Sequence, residues 1–101
     1  MVQINWTIQA INDLKSIAEF ISKDSKAYAK LQVGRIRSRT EILKTHNNSG
    51  RIVPEINLPK IRELIEGNYR IIYTIVSENQ VDILTIHHNA RDLSKRKLKL
   101  D

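Results

Sequence analysis

The sequence contains no cysteine, which excludes disulfide bonds and thiolate metal sites. Its three histidines, His46, His87 and His88, are too few and too scattered to indicate a structural zinc site. No apolar run approaches the length that a bilayer-spanning helix needs. The N-terminal residues MVQINWTIQAINDL lack the basic segment and apolar stretch of a secretory signal. We therefore expect a cytoplasmic protein with no metal and no cofactor.

Acidic residues are also scarce relative to basic ones. The 101-residue chain carries 17 lysines and arginines against 11 acidic residues, a net charge of +6. Such an excess favours an acidic partner, which would be nucleic acid, an anionic membrane or an acidic protein. The charge could equally serve solubility alone. The length predicts a single domain over residues 1–101.

The first half of the chain has the pattern of one strand and two helices. Val2–Trp6 alternates like a short strand, and Thr7 can cap a helix that runs to about Ser22. Ser25 is a plausible cap for a second helix over residues 26–44. Gly34 lies in the middle of that helix, where glycine costs about 1 kcal/mol relative to alanine. We expect close packing of the two helices at Gly34 to offset this cost.

The second half of the chain is rich in strands. Strand patterns cover Arg51–Pro54, Ile61–Ile65, Asn68–Val76 and Val81–His88, with a hairpin loop at residues 77–80. The last two strands are apolar on both faces, as expected for central strands covered by helices on one side. The predicted fold is α+β, an N-terminal strand and a helical hairpin packed on a twisted, mainly antiparallel β-sheet.

Four segments carry a resemblance to a known family. They are GRIVPE at residues 50–55, IREL at 61–64, NYRIIY at 68–73 and ILTIHHNARDL at 83–93. Their order and spacing resemble the RelE/ParE superfamily of type II toxins, nearer the ParE or plasmid-stabilisation branch. The N-terminal helical hairpin fits this family too, so the resemblance covers nearly the whole chain.

The resemblance implies a growth-inhibiting toxin that a cognate antitoxin neutralises through a disordered segment. ParE-like members act on DNA gyrase, whereas RelE-like members cleave mRNA in the ribosomal A site without metal. The GRIVPE and NYRIIY segments favour a gyrase binder, and the metal-free endoribonuclease is the alternative. A basic nucleic-acid-binding module is a second alternative, although the sequence has no helix-turn-helix, zinc-finger or aromatic RNA-binding motif.

Metal-free RNA cleavage needs a base for the ribose hydroxyl, a cation for the phosphate and an acid for the leaving oxygen. By resemblance to the nuclease members, Glu55, Arg62 and His87 match those positions, and His88 stands where those members have a tyrosine. Arg70 could join Arg62 in a guanidinium clamp on phosphate. For a nuclease, we expect Arg62 and His87 near one another beside Glu55, on the sheet face that the helices leave uncovered.

Each of these residues also has a structural interpretation. Glu55 could pair with Arg51 or Arg62, Arg70 could belong to a structural ion pair, and His87 could be a histidine at the edge of the core. A gyrase binder would depend instead on exposed basic surface. The basic residues that we expect to serve such binding are Arg51, Arg91, Lys95, Arg96 and Lys97.

Overall fold

The computed structural model describes residues 1–89 and Leu93, and this part of the chain forms two α-helices and a five-stranded sheet. The elements in chain order are β1 (Gln3–Trp6), α1 (Ile8–Ser22), α2 (Lys26–Arg39), a 3-10 helix (Thr40–Lys44), β2 (Arg51–Ile52), β3 (Ile61–Glu66), β4 (Tyr69–Ser77) and β5 (Gln80–His88). The predicted α+β class is confirmed. No helix in the described part is long and apolar enough to span a membrane.

The sheet has the strand order β1-β5-β4-β3-β2. Strands β2 to β5 form an antiparallel meander, as the turn signals predict. Strand β1 pairs with β5 in parallel, so the sheet is mixed. A parallel partner requires a long crossover, and the helical hairpin of α1 and α2 supplies it.

Local side-chain hydrogen bonds fix where the helices begin and end. The hydroxyls of Thr7 and Ser25 accept hydrogen bonds from the backbone N–H groups of Ala10 and Tyr28, as predicted for N-caps. The second helix is α-helical only to Arg39, which corrects the prediction of a helix to residue 44. The backbone N–H of Thr40 donates to the carbonyl of Arg37, three residues earlier, and the chain continues as a 3-10 helix.

The two faces of the sheet are both buried, but by different groups. The helices cover the face that carries Leu64, Ile71 and Tyr73, and with it they form the larger core. The opposite face carries a smaller apolar cluster, whose residues are Val53, Ile61, Ile72, Leu84 and Leu93. The two-sided apolar pattern of the central strands is therefore explained by two separate cores.

Helix α1 also covers the edge of β5 beyond the end of β1. The Asp13 carboxylate accepts hydrogen bonds from the Ile86 backbone N–H at 3.1 Å and from the Thr85 hydroxyl. One side chain thus replaces the strand partner that β1 is too short to provide. This satisfies a backbone donor that would otherwise lie unpaired at a buried edge.

The expectation that Gly34 packs tightly against α1 is wrong. A Cβ atom built at Gly34 meets no atom within 4 Å, because this residue lies on the outward face of α2. The glycine that does need its small size is Gly50, where a Cβ would lie 2.6 Å from the Glu63 carbonyl oxygen and 2.8 Å from the Tyr73 ring. The Gly50 N–H donates to the Tyr73 hydroxyl at 3.0 Å.

We predict that Gly50→Ala lowers the free energy of unfolding by about 2 kcal/mol or more, because the methyl group would overlap backbone and a buried ring. Gly34→Ala is the matched control and should raise the free energy of unfolding by about 0.5–1 kcal/mol through helix propensity alone. Chemical denaturation followed by circular dichroism measures both. Equal stability of the two variants would contradict the contact at Gly50.

Candidate functional site

Four charged side chains form a continuous ion-pair network on the sheet face opposite the helices. Arg70 Nε donates to Glu63 Oε1 at 2.5 Å, and its two terminal nitrogens donate to the Glu55 carboxylate at 2.6 and 2.8 Å. Arg51 Nε donates to the second Glu63 oxygen, also at 2.5 Å. Glu63 therefore lies between two guanidinium groups, and Arg70 between two carboxylates.

Strand register places these residues together. Glu63 lies opposite Arg51 on β2 and opposite Ile72 on β4. Directly opposed residues of an antiparallel pair project to the same face, so Glu63 shares the face of Ile72 and of Arg70, two residues earlier. Glu55 reaches Arg70 from the turn that follows β2.

Burial decreases from the centre of the network outward. The Glu63 side chain is fully buried and that of Arg70 is 9% exposed, whereas Glu55 is 33% exposed and Arg51 is 64% exposed. The bidentate hydrogen bond from Arg70 lowers the pKa of Glu55 from 4.5 to about 2, against the opposing effect of desolvation. Hydrogen bonding to Glu55 raises the pKa of Arg70 above its ordinary value.

The two histidines at the end of β5 project to opposite faces of the sheet, and only His87 lies on the face of this network. His87 is the cross-strand partner of Arg70 and is 2% exposed. His88 is partly exposed and contacts the Tyr69 ring edge-on, with 5.2 Å between ring centroids. His87 is therefore a buried residue next to a fully engaged arginine, which agrees with its interpretation as a core-edge histidine.

The structure separates Arg62 from the other predicted nuclease residues, which corrects the expected arrangement. Arg62 lies opposite Tyr73, on the face that the helices cover. Its guanidinium donates to backbone carbonyls, which are those of Pro59, Asn48 and Gly50. Neighbouring residues of a strand project to opposite faces, so Arg62 cannot share a phosphate clamp with Arg70 or lie beside His87.

The fully buried acid Glu63 was not anticipated as the centre of a site. The signal in the sequence that places Glu63 on an apolar face is its alternation with Ile61 and Ile65. Of the predicted binding residues, Arg51 belongs to the network. The others, Arg91, Lys95, Arg96 and Lys97, lie outside the described residues.

The chemical consequence of this geometry is that the network is closed. A general base is most effective when its pKa lies near the working pH, and a pKa of about 2 leaves Glu55 a very weak base at neutral pH. The Arg70 guanidinium already makes three hydrogen bonds to carboxylates. Neither group is free to take up a ribose hydroxyl or a phosphate without breaking the network.

Comparison with known proteins agrees with the fold and the motifs. Residues 4–93 match the family model described as the ParE toxin of the type II toxin–antitoxin system parDE. The chain is 29% identical over 91 residues to Toxin RelE2 of Caulobacter vibrioides, covering 90% of this chain and 99% of that protein. A solved structure of the chromosomal ParDE toxin–antitoxin system from P. aeruginosa superposes with a TM-score of 0.72 at 23% identity, covering 87% of this chain and 96% of that one.

We predict that the stabilising effect of Glu55 disappears in acid. Its pKa is depressed in the folded state, so its contribution is complete above the ordinary pKa of 4.5 and is lost as the pH falls toward 2. At neutral pH, Glu55→Gln should lower the free energy of unfolding by about 1 kcal/mol, a value reduced for its partial exposure. Urea denaturation at several pH values should show this difference shrinking between pH 5 and 2, and a constant difference would contradict the assignment.

We also predict that the two ion pairs of Glu63, with Arg70 and with Arg51, contribute unequally to the free energy of unfolding. Glu63→Ala leaves the buried Arg70 without one of its carboxylates and should cost about 3 kcal/mol or more. Arg51→Ala removes the exposed partner of the same carboxylate and should cost less than about 1 kcal/mol. Denaturation midpoints at neutral pH test this order, and a cost for Arg51→Ala equal to that for Glu63→Ala would refute it.

Proposed function

The chain belongs to the ParE toxin family of type II toxin–antitoxin systems, and we propose that it arrests bacterial growth by binding DNA gyrase through its surface rather than by cleaving RNA. It is a toxin with a cognate antitoxin as partner. The target is the proposal, and it follows the activity that ParE-like members have. Because gyrase is a cytoplasmic enzyme, the proposal also assigns this toxin to the cytoplasm.

The observation that carries the proposal is that the side chains a nuclease would need are already bonded to other groups of the protein or buried. Arg70 and Glu55 are paired with each other, and Arg62 lies on the other face of the sheet, where it binds backbone carbonyls. His87 is buried beside Arg70. A metal-free nuclease needs its base, cation and acid around one phosphate. This distribution supports a toxin that acts by binding.

A binding toxin also accounts for the charged surface. In α2 there are five basic residues and no acidic one. Surface charge of one sign accelerates association with an oppositely charged partner, which suits a toxin that acts by docking. The basic residues of the C-terminal segment, Arg91, Lys95, Arg96 and Lys97, add to this charge and are proposed binding residues.

The experiment compares two activities of the purified protein. We expect inhibition of plasmid supercoiling by gyrase, and no cleavage of mRNA in a reconstituted translation reaction mapped by primer extension. The variant Arg62→Ala with His87→Gln should still inhibit supercoiling and arrest growth, provided that its circular dichroism spectrum and melting temperature show a folded protein. Removal of residues 94–101, which leaves the buried Leu93 in place, should weaken growth arrest more than the double substitution does.

The opposite pattern would overturn the proposal. Ribosome-dependent mRNA cleavage that the double substitution abolishes, with supercoiling unaffected by the wild-type protein, would identify an endoribonuclease. Lys23→Ala, an exposed change in the turn between the helices, serves as the control for both assays. It should leave gyrase inhibition and growth arrest unchanged.

A further inference from the structure

The loop between β2 and β3, residues 53–60, is fixed to the sheet by hydrogen bonds along its length. The Val53 carbonyl accepts a hydrogen bond from the Asn57 N–H at 2.8 Å, and the Pro59 carbonyl accepts one from the Arg62 guanidinium at 2.9 Å. The glutamate of this loop belongs to the ion-pair network and joins it to β4. Because its backbone is already ordered, the loop loses little conformational entropy when it binds a partner.

One apolar side chain of this loop lies at the surface. Leu58 is 43% exposed, and in the described part of the chain it belongs to neither apolar cluster. Its neighbours Ile56 and Ile61 both pack in the small cluster on the face opposite the helices. Leu58 is therefore an apolar group held in a fixed position, which a pocket of a partner can bury at little cost in ordering.

An exposed cation follows two residues after this leucine. Within residues 1–89, Lys60 forms no ion pair. The carboxylate of the same loop is bonded to Arg70. Of the nearby acidic residues, Glu78 lies in the turn between β4 and β5, and the Asp82 carboxylate accepts hydrogen bonds from two amide side chains. Lys60 is therefore available to a carboxylate of a partner.

The basic tail of the chain begins at the same small cluster. Leu93 is 3% exposed and packs in it with Val53 and Ile61, the residues at the two ends of the loop. Residues 94–101 carry four basic residues and one acidic residue, which is half of the net charge of +6. A buried leucine thus attaches the most basic segment of the chain beside the loop that presents Leu58.

We propose that residues 53–60 and the tail form one surface that binds the target. Leu58 enters an apolar pocket of the target, and Lys60 and the cations of the tail pair with acidic groups around that pocket. Charges at the rim of such an interface accelerate the encounter, whereas a buried anchor slows dissociation. This inference rests on the proposed function, that the toxin acts by binding its target.

Charge and shape distinguish this partner from two others. A second copy of the chain would bring the same cations against Lys60 and the tail, and like charges repel. Nucleic acid would pair with the cations but leave Leu58 unmatched, because phosphate contacts need no apolar pocket. An acidic protein surface that contains an apolar pocket matches both features.

The first test measures inhibition of gyrase-catalysed plasmid supercoiling by purified variants. Leu58→Ser removes the apolar anchor and should raise the concentration for half-inhibition about tenfold, or about 1.4 kcal/mol. Lys60→Glu reverses the adjacent charge and should raise it about threefold or more. Ile8→Ser and Lys15→Glu make the same chemical changes at exposed positions of α1 and should stay within about twofold of wild type.

The second test separates the target from the antitoxin in cells. At equal soluble amounts, the Leu58→Ser and Lys60→Glu toxins should arrest growth more weakly than wild type and still co-purify with the co-expressed antitoxin. Antitoxin binding reports that a variant is folded. Lys60→Glu alters only an exposed side chain, so it decides alone if Leu58→Ser proves unfolded.

Full growth arrest by folded variants at both positions would overturn the proposal. Full arrest that the antitoxin no longer neutralises would also overturn it and would assign this surface to the antitoxin. If wild-type toxin arrests growth but leaves supercoiling unaffected, only gyrase as the target is refuted. The order of growth arrest among the four variants then still decides whether this surface binds the target.

Discussion

The pairing of Glu63 with Arg70 is the interaction on which the sheet face opposite the helices depends. Both side chains are buried or nearly so, on a face that also carries an apolar cluster. A buried carboxylate or guanidinium left alone would be strongly destabilising, and each is tolerated here because the other satisfies it. Through Arg51 and Glu55 the same pair joins β2 and the turn after it to the central strands. One charged pair thus organises three strands and a loop.

The helical half of the molecule depends on side chains that satisfy backbone groups. Asp13 of α1 completes the hydrogen bonding of β5 where β1 has ended, and Arg62 donates to the carbonyls of the segment that leads into β2. Tyr73 accepts from Gly50 across the core. Because the short strands β1 and β2 leave backbone groups at the sheet edges, these side chains take the place of longer strands.

The proposal of a toxin that acts by binding rests on these two requirements. Residues that resemble a nuclease site are present in the sequence, but in the structure they form ion pairs and hydrogen bonds that hold the fold together. Glu55 and Arg70 neutralise each other, and Arg62 holds a loop. What remains available is surface, above all the basic outward face of α2. One fold can host either activity, and the side-chain partners decide which groups stay free to act.

Much of the fold could be predicted from the sequence, because the signals for it are local. Periods of two and of 3.6 residues predicted the strands and helices, Thr7 and Ser25 marked the helix starts, and four segments in register indicated the family. These inferences depend on residues that are neighbours along the chain. The end of α2 was predicted too late because the chain continues from Thr40 as a 3-10 helix, whose period is close to that of an α-helix.

The candidate site depended on tertiary structure. The sequence contains Glu55, Arg62, Arg70 and His87 but does not say which strand faces oppose one another, and a shift of one residue in register moves a side chain to the other face. Only the pairing of β3 with β4 placed Arg62 with Tyr73 and left Glu63, not Arg62, beside Arg70. Likewise, whether Gly34 or Gly50 needs its small size depends on which atoms of distant segments lie near the position of a Cβ atom. By itself the sequence determined the elements, the charge and the family, whereas contacts between distant segments decided which charges are paired and which glycine is tightly packed.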